Sequence, residues 1–350
     1  MRFVPTEQLV PGMILGQDMF DAMGIKLLSK ENAITRENIS YLEFIGTAGV
    51  YIDDEISKDI ALKEVVSPQV KQQAVALIQD VFSKTEDDDA LEPEERMIRL
   101  VVENVVDDVL ADENVMYNII DIKTYSDYTY FHSMNVGVLA GILGAKMSLP
   151  EDEMKDLVTS AFLHDIGKML LPDHLRNMER RLTPQERENL RNHSQLGYDY
   201  LTEKFSFSDR VNQAVYQHHE WYNGQGYPNR YKGKELCRNA RILRAADQYD
   251  TMTSKMPYRP AYQPADVMEY IMASTGLEFD PQVVKVMSSQ LCIYPIGSEV
   301  VLSDGRHGIV VENHIGFIGR PTIRLMDTGE EINLRGDRSA YNITITQLLV

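Results

Sequence analysis

Cysteine is nearly absent: Cys237 and Cys292 are the only two in 350 residues, and they lie far apart. That excludes a disulfide framework and any zinc ribbon built on paired Cys spacings. Positive charge is scarce as well. Thirty-five Lys and Arg against 53 Asp and Glu leave a formal net charge of −18, which argues against binding nucleic-acid polymers, because phosphate backbones demand a basic face. Long hydrophobic runs are missing: the longest weakly polar stretch, around 136–145, is too short to span a bilayer. Met1-Arg2-Phe3-Val4-Pro5 has no signal-peptide core. The expectation is a cytoplasmic protein without membrane insertion. No phosphate-acceptor receiver pattern or haem motif is evident. A hydrophobic content of 43% with 25% charged residues is that of an ordinary globular chain, and the length allows two or three domains.

What the chain does have is histidine in one region. Six of its eight histidines lie between positions 132 and 219. His132, the pair His164-Asp165, His193, the pair His218-His219 and Asp247 read together as one dinuclear metal site. Imidazole and carboxylate suit iron, manganese and zinc, and an Asp beside a His can bridge two ions. A water shared by two such ions has a lowered pKa and can attack phosphorus.

Any one of these histidines alone is more simply a hydrogen-bonded core residue. Their phase decides otherwise. His132 leads an apolar stripe through Val136, Leu139, Ala140 and Leu143. Met154, Leu157 and Ala161 share a face with His164. A capping box, Thr183-Pro184 with Glu186, opens a helix that aligns Leu190, His193, Gly197 and Leu201. Val211, Ala214, Val215 and His218 align on the next helix, and Ala240, Leu243, Asp247 and Thr251 on the last. Five consecutive helices thus point a ligand type inward, where an unpaired polar group is costly.

The run His164-Asp165-Ile166-Gly167-Lys168 resembles the signature of the HD phosphohydrolase superfamily. The run from His218-His219-Glu220 through Gly224-Gln225-Gly226-Tyr227-Pro228 resembles the fuller HHExxxGxGYP signature of HD-GYP domains, and 246–254 is similar to that family's closing helix. The resemblance covers roughly 115–290. It implies an all-helical metal enzyme that hydrolyses cyclic di-GMP to linear pGpG, with GMP following slowly, by attack of a metal-bridged hydroxide. It implies one ion on His132, His164, Asp165 and Asp247, and a second on Asp165, His193, His218 and His219, with iron or manganese as the metals. Asp165 and Lys168 would be catalytic, Lys168 neutralising a phosphate oxygen. Gly226, Tyr227, Pro228, Asp250 and Arg259 would join Lys168 in binding substrate. In this family the Gly-Tyr-Pro loop is also implicated in contacts with protein partners, and a homodimer is compatible with the resemblance.

Two departures stand out. Where trinuclear members carry a Glu, four residues before the first His, this chain has Tyr128, with Asp127 one residue off that face; two ions are therefore expected. Where the family has an Arg before Pro-Tyr, this chain has Met256. That keeps another cyclic dinucleotide, such as 3′,3′-cyclic GMP-AMP, as an alternative substrate, and a catalytically weak cyclic di-GMP effector as a further one. Between Tyr216 and Tyr262, eight Lys/Arg against four Asp/Glu give a local net charge of +4, a field in which an anionic dinucleotide can dwell.

The expected class is multidomain α+β: a small α/β module (1–65), a helical connector (66–114) serving as a solvated spacer around the acidic run 86–89, the helical metal domain (115–290), and a β-rich module (291–350). Short apolar runs at 12–15, 24–28 and 49–52 with a helix at 35–44 mark the first. Runs at 299–302, 308–311, 322–325 and 332–334 mark the last, of about five strands in all. That module could cap the site, dimerise or bind a ligand; the residues do not choose.

Overall fold

The structure, a computed structural model, describes residues 1–20, 26–62, 64–85, 91–111, 128–176, 180–256 and 259–349, the side chains of Phe20 and Tyr128 excepted. The acidic run 86–89, Asp127 and the Tyr128 side chain, all weighed above, lie outside the described residues.

At the N-terminus β1 (Arg2–Pro5), β2 (Ile14–Leu15), β3 (Met19–Phe20), β4 (Lys26–Leu28), α1 (Arg36–Phe44) and β5 (Gly49–Asp53) form a small α/β unit. Strand β5 is central and antiparallel to both β1 and β2. Val4, Leu15, Ile34, Leu42, Val50 and Ile52 give this unit a core of its own. Thr35 and Asn38 close a reciprocal capping box on α1, which fixes its start.

The helical body follows as α2 (Pro68–Ser83), α3 (Glu92–Leu110), α4 (Tyr128–Lys146), α5 (Glu151–Leu163), α6 (Asp173–Arg176), α7 (Pro184–Arg191), α8 (His193–Lys204), α9 (Asp209–Gln217), α10 (Arg238–Thr253), α11 (Pro264–Ala273) and α12 (Pro281–Gln290). The capping box on Thr183 and Glu186 is present, but the expected single helix is interrupted at Asn192, which divides α7 from α8. The stretch 66–114 is not a spacer in its helical parts: Val75, Ile78 and Phe82 of α2 and Val101, Val105 and Val106 of α3 are buried in the same core as α4 and α5. Their valines sit at helical spacing on one face, and only a neighbouring helix can cover such a stripe.

Helix α4 is apolar nearly all round and runs through the middle of the body, buried at every position from His132 to Gly144. Its closest neighbour is α5, because a Cβ on Gly137 would come within 2.4 Å of the Phe162 ring. Among the described residues no helix is long and apolar enough to cross a membrane.

The C-terminal strands β6 (Glu299–Leu302), β7 (His307–Glu312), β8 (Thr322–Leu325), β9 (Glu331–Asn333) and β10 (Ile345–Leu349) form one antiparallel sheet in the order β10-β6-β7-β8-β9. The fifth strand, β10, pairs with β6 and is also held by Gln263, whose side chain bonds both the N–H and the carbonyl of Leu348. The two ends of the chain meet. Phe3 N donates to the Gly297 carbonyl at 2.8 Å, and Arg324 pairs with Asp59 at 2.6 Å while donating to the Ile56 carbonyl.

Gly137→Ala tests the α4–α5 approach. An alanine in a helix is ordinarily worth about 1 kcal/mol over glycine, but the Phe162 ring, 1% exposed, has nowhere to withdraw, and overpacking costs about 1–3 kcal/mol. Urea unfolding should show a net loss for Gly137→Ala, whereas Gly141→Ala, whose nearest neighbour is a Val158 methyl at 3.3 Å, should be close to neutral.

Candidate metal centre

Five elements deliver seven side chains to one region. His132 comes from α4; His164 caps the C-terminus of α5 and Asp165 follows it; His193 opens α8; His218 caps α9 with His219 next; Asp247 comes from α10. His132, His164, Asp165, His193 and His218 are each at most 2% exposed.

The orientation of the imidazoles is set from behind. Nδ1 of His164 donates to the Ala161 carbonyl at 2.8 Å, that of His193 to Leu190 at 2.6 Å, and that of His218 to Val215 at 2.6 Å. Each acceptor lies three residues earlier, one of the carbonyls a helix leaves open at its end. His132 Nδ1 donates to Asp250 Oδ2 at 2.7 Å. With Nδ1 of these rings turned to its acceptor, each Nε2 faces inward, and where the ring is neutral it presents a lone pair. His132 and His164 then meet Nε2 to Nε2 at 3.2 Å, His193 and His218 at 3.2 Å, and His193 and His219 at 3.1 Å. Two lone pairs cannot satisfy each other; a shared cation can. The donor set therefore fits divalent metal, with His132, His164 and Asp165 in one group and His193, His218 and His219 in another, the ligating atoms of each group lying within 4.8 Å of one another.

Asp165 stands between them. Its Oδ2 lies 3.3 Å from His164 Nε2 and 3.8 Å from His132 Nε2, while Oδ1 lies 3.6 Å from His193 Nε2. Asp247 Oδ1 adds to the first group, 3.2 Å from His132 Nε2. Burial pushes the Asp165 carboxyl up, but the His164 and Lys168 charges outweigh it and hold it well below its usual range. Burial drags His193 down to about 4 and takes His218 and His219 well below the imidazole value, with neighbouring imidazoles adding to the effect on both. His132 goes the other way: burial lowers it, yet Asp247 and Asp250 together raise it to about 9. These carboxylates demand positive charge at that spot.

Close backbone crossing makes this convergence fit. A Cβ on Gly167 would lie 2.0 Å from the His193 carbonyl oxygen, so only glycine lets the turn after Asp165 pass over the start of α8. Gly226 is as confined, its missing Cβ falling 2.2 Å from Trp221 N and 2.5 Å from the His219 carbonyl oxygen. The Gly-Tyr-Pro loop therefore folds back onto the histidines, and the Tyr227 ring stacks on His219 at 4.8 Å, with the Arg191 guanidinium over its other side at 4.9 Å. Glu220, 2% exposed, fastens the loop by accepting from the N–H groups of Asn229 and Arg230 at 2.6 and 2.8 Å. Pro228 is exposed at the rim.

Lys168 lies at the site, its Nζ 2.6 Å from Asp165 Oδ2 and its side chain 33% exposed. Two residues expected to contact substrate have protein partners of their own. Asp250 is 2% exposed behind His132 and acts on that ring, not on the open side of the site. Arg259 spends its guanidinium on the end of α10, donating to the carbonyls of Thr251, Met252, Ser254 and Pro260 at 2.6 to 3.3 Å; a C-terminal cation answers the open carbonyls there. The local excess of positive charge is consumed in the same way, since Arg238 pairs with Glu153, Arg241 with Asp280 and Arg244 with Glu278. Neither Glu220 nor Arg191 was picked out as a site residue by spacing. The triplet His218-His219-Glu220 was the available signal for the first, and the second had none.

Helices that converge histidines in two groups about one aspartate define an HD-type metal site. A family model described as "HD domain" matches residues 109–283, half of the chain, and the chain belongs to that family, in its HD-GYP form. A cyclic di-GMP phosphodiesterase of Pseudomonas aeruginosa is 32% identical over 225 residues, 64% of this chain and 54% of that protein. One of Thermotoga maritima is 29% identical over 179 residues, 49% of each. A 3′3′-cGAMP-specific phosphodiesterase of Vibrio cholerae is 28% identical over 195 residues, 54% of this chain and 37% of that protein. The chain thus spans about half the length, or less, of the curated relatives it matches. Among solved structures, an HDG"Y"P protein from Bdellovibrio bacteriovorus superposes with a TM-score of 0.52 at 15% identity, covering 81% of this chain and 97% of its own, a likeness of fold.

Asp250→Ala should weaken binding of Mn2+ by about 10- to 100-fold, the usual effect of removing a partner behind a ligand histidine. Titration calorimetry reads the affinity and circular dichroism checks that the helices remain. Unchanged affinity would mean that Asp250 does not hold the His132 ring for a metal.

Proposed function

We propose that the chain is a metal-dependent phosphodiesterase that opens cyclic di-GMP to linear pGpG, with slower onward cleavage to GMP, in bacterial second-messenger signalling in the cytoplasm. The observation that carries this is the pair of ligand groups sharing Asp165. His132, His164, Asp165 and Asp247 would hold one ion, and Asp165, His193, His218 and His219 the other, with iron or manganese suiting this mixed shell. When bound, two such ions supply a water of lowered pKa and charge to offset the developing negative phosphate.

The remaining work falls to the protein's own groups. Asp165, held ionised by its surroundings, keeps both oxygens available to the two groups. Lys168, partly exposed beside it, neutralises a non-bridging phosphate oxygen as charge builds there. Tyr227, held between His219 and Arg191, lines the site beside the histidines and bounds the space a substrate would enter. Water adds to phosphorus, the P–O3′ bond breaks, and the ribose 3′-oxygen leaves with a proton. The exposed rim at Pro228–Arg230 is the face on which a protein partner would meet the loop, and a homodimer would leave the site itself complete in each chain.

A second reading has a specific observation behind it. Position 256 is Met and Arg259 is occupied with backbone carbonyls, so a cation pair that would grip the phosphates is missing at that edge. This favours keeping 3′,3′-cyclic GMP-AMP as a competing substrate.

Protein purified without oxygen and loaded with Fe2+ or Mn2+ should hold two ions per chain and convert cyclic di-GMP to pGpG. Three tightly held ions would refute the binuclear assignment, and preferential cleavage of 3′,3′-cyclic GMP-AMP would replace the substrate. Binding without cleavage would make the chain an effector. Asp165→Asn and His193→Ala should each abolish turnover while leaving the far-ultraviolet spectrum intact; full activity in either would overturn the hydrolytic reading.

A further inference from the structure

Asp247 is a proposed ligand whose two oxygens face different surroundings. Oδ1 lies 3.2 Å from His132 Nε2 and accepts from Thr251 Oγ1 at 3.1 Å. Oδ2 turns away from that group, toward Arg244 Nη1 at 3.7 Å. Arg244 sits about one turn earlier on α10 and is 8% exposed. Its Nη2 donates to Oε1 of Glu278, which is 5% exposed, and the Phe279 ring lies 5.7 Å from the guanidinium. Tyr270 of α11 donates its hydroxyl to the other oxygen of Glu278.

A guanidinium and a carboxylate are therefore buried together beside a ligand. As a contribution to stability such a pair is weak, because desolvating two charges offsets most of their attraction. Its placement suggests another use. An unpaired arginine beside Asp247 would compete with any metal for the carboxylate. An arginine already matched by Glu278 brings no net charge and can still attract Oδ2 electrostatically across 3.7 Å, leaving Oδ1 to the ligand group. Glu278 has a second tie to the site. Its carbonyl accepts from Tyr222 N at 3.1 Å, and the Leu277 carbonyl accepts from Asn223 N at 2.8 Å, so the α11–α12 connection that holds Arg244 also holds the start of the Gly-Tyr-Pro loop.

We propose that Arg244 and Glu278 are positioning residues for the metal ligand Asp247: Arg244 orients the carboxylate, and Glu278 cancels the arginine's charge and links its position to the loop. This rests on the reading of the seven side chains as a metal centre. Glu278→Gln leaves the arginine uncompensated next to Asp247, and should weaken one of the two Mn2+ binding events by about 10- to 100-fold while the His193, His218 and His219 group binds as before. The double variant R244M/E278M removes the pair without orphaning either charge. It should show the same selective loss with no fall in melting temperature, since apolar residues of similar volume replace a buried ion pair without penalty.

Calorimetric titration of full-length protein with Mn2+, beside thermal unfolding, reads both. Wild-type affinity at both sites in the two variants would overturn the proposal, as would equal weakening of both sites accompanied by loss of structure, which is what a merely structural pair would give. A wild-type chain that takes up no Mn2+ would bring down the metal-centre reading itself, and the proposal with it.

Discussion

The helical body is arranged around buried imidazoles whose Nε2 atoms face one another across about 3.2 Å. Between neutral rings such contacts are unfavourable, and a divalent cation held in each group, as proposed, would turn them into bonds. The device that aims them is economical. His164, His193 and His218 each use a carbonyl left open near the end of a helix to hold Nδ1–H. The same unsatisfied groups that every helix must dispose of thus set the tautomer of a ligand, and the helix ends become the walls of the site.

Bringing those ends together requires backbones to pass more closely than ordinary side chains allow. Gly137 does this between α4 and α5, Gly167 between the turn after Asp165 and α8, and Gly226 between the Gly-Tyr-Pro loop and the histidine pair. Charge is handled with similar restraint. The net −18 of the chain coexists with a centre whose cations are mostly spent on structural partners, so Lys168 and Arg191 remain as the partly exposed positive groups beside the site. The terminal modules stand apart from this chemistry. They are bound to one another through Phe3, Gly297, Asp59 and Arg324, residues from opposite ends of the chain.

Much of the helical body was legible in the order of residues. Helix phase put His132, His164, His193, His218 and Asp247 on inward faces, Thr183 announced a helix start through a capping box that is present, and the short helix read at 35–44 is α1. Strands β1, β3 and β10 were not separately read, being short and lacking a clear alternation. The connector at 66–114 is helical as expected, but that α2 and α3 pack into the body was not legible, because an amphipathic stripe looks the same whether or not a partner helix covers it.

Asp250 and Arg259 show where linear pattern stops being informative. Both lie in a segment whose motif points to substrate, yet one backs a ligand ring and the other closes a helix end. The identity of a side chain, and the face of the helix that carries it, is determined by the sequence, because residue spacing and helical period are local properties. Which group a long or charged side chain finally meets is decided only when distant segments pack, since its partner is selected by burial and by competition among every unsatisfied carbonyl, carboxylate and ring within reach. Local periodicity therefore specified which side chains face inward as candidate ligands, and tertiary packing specified how they are held.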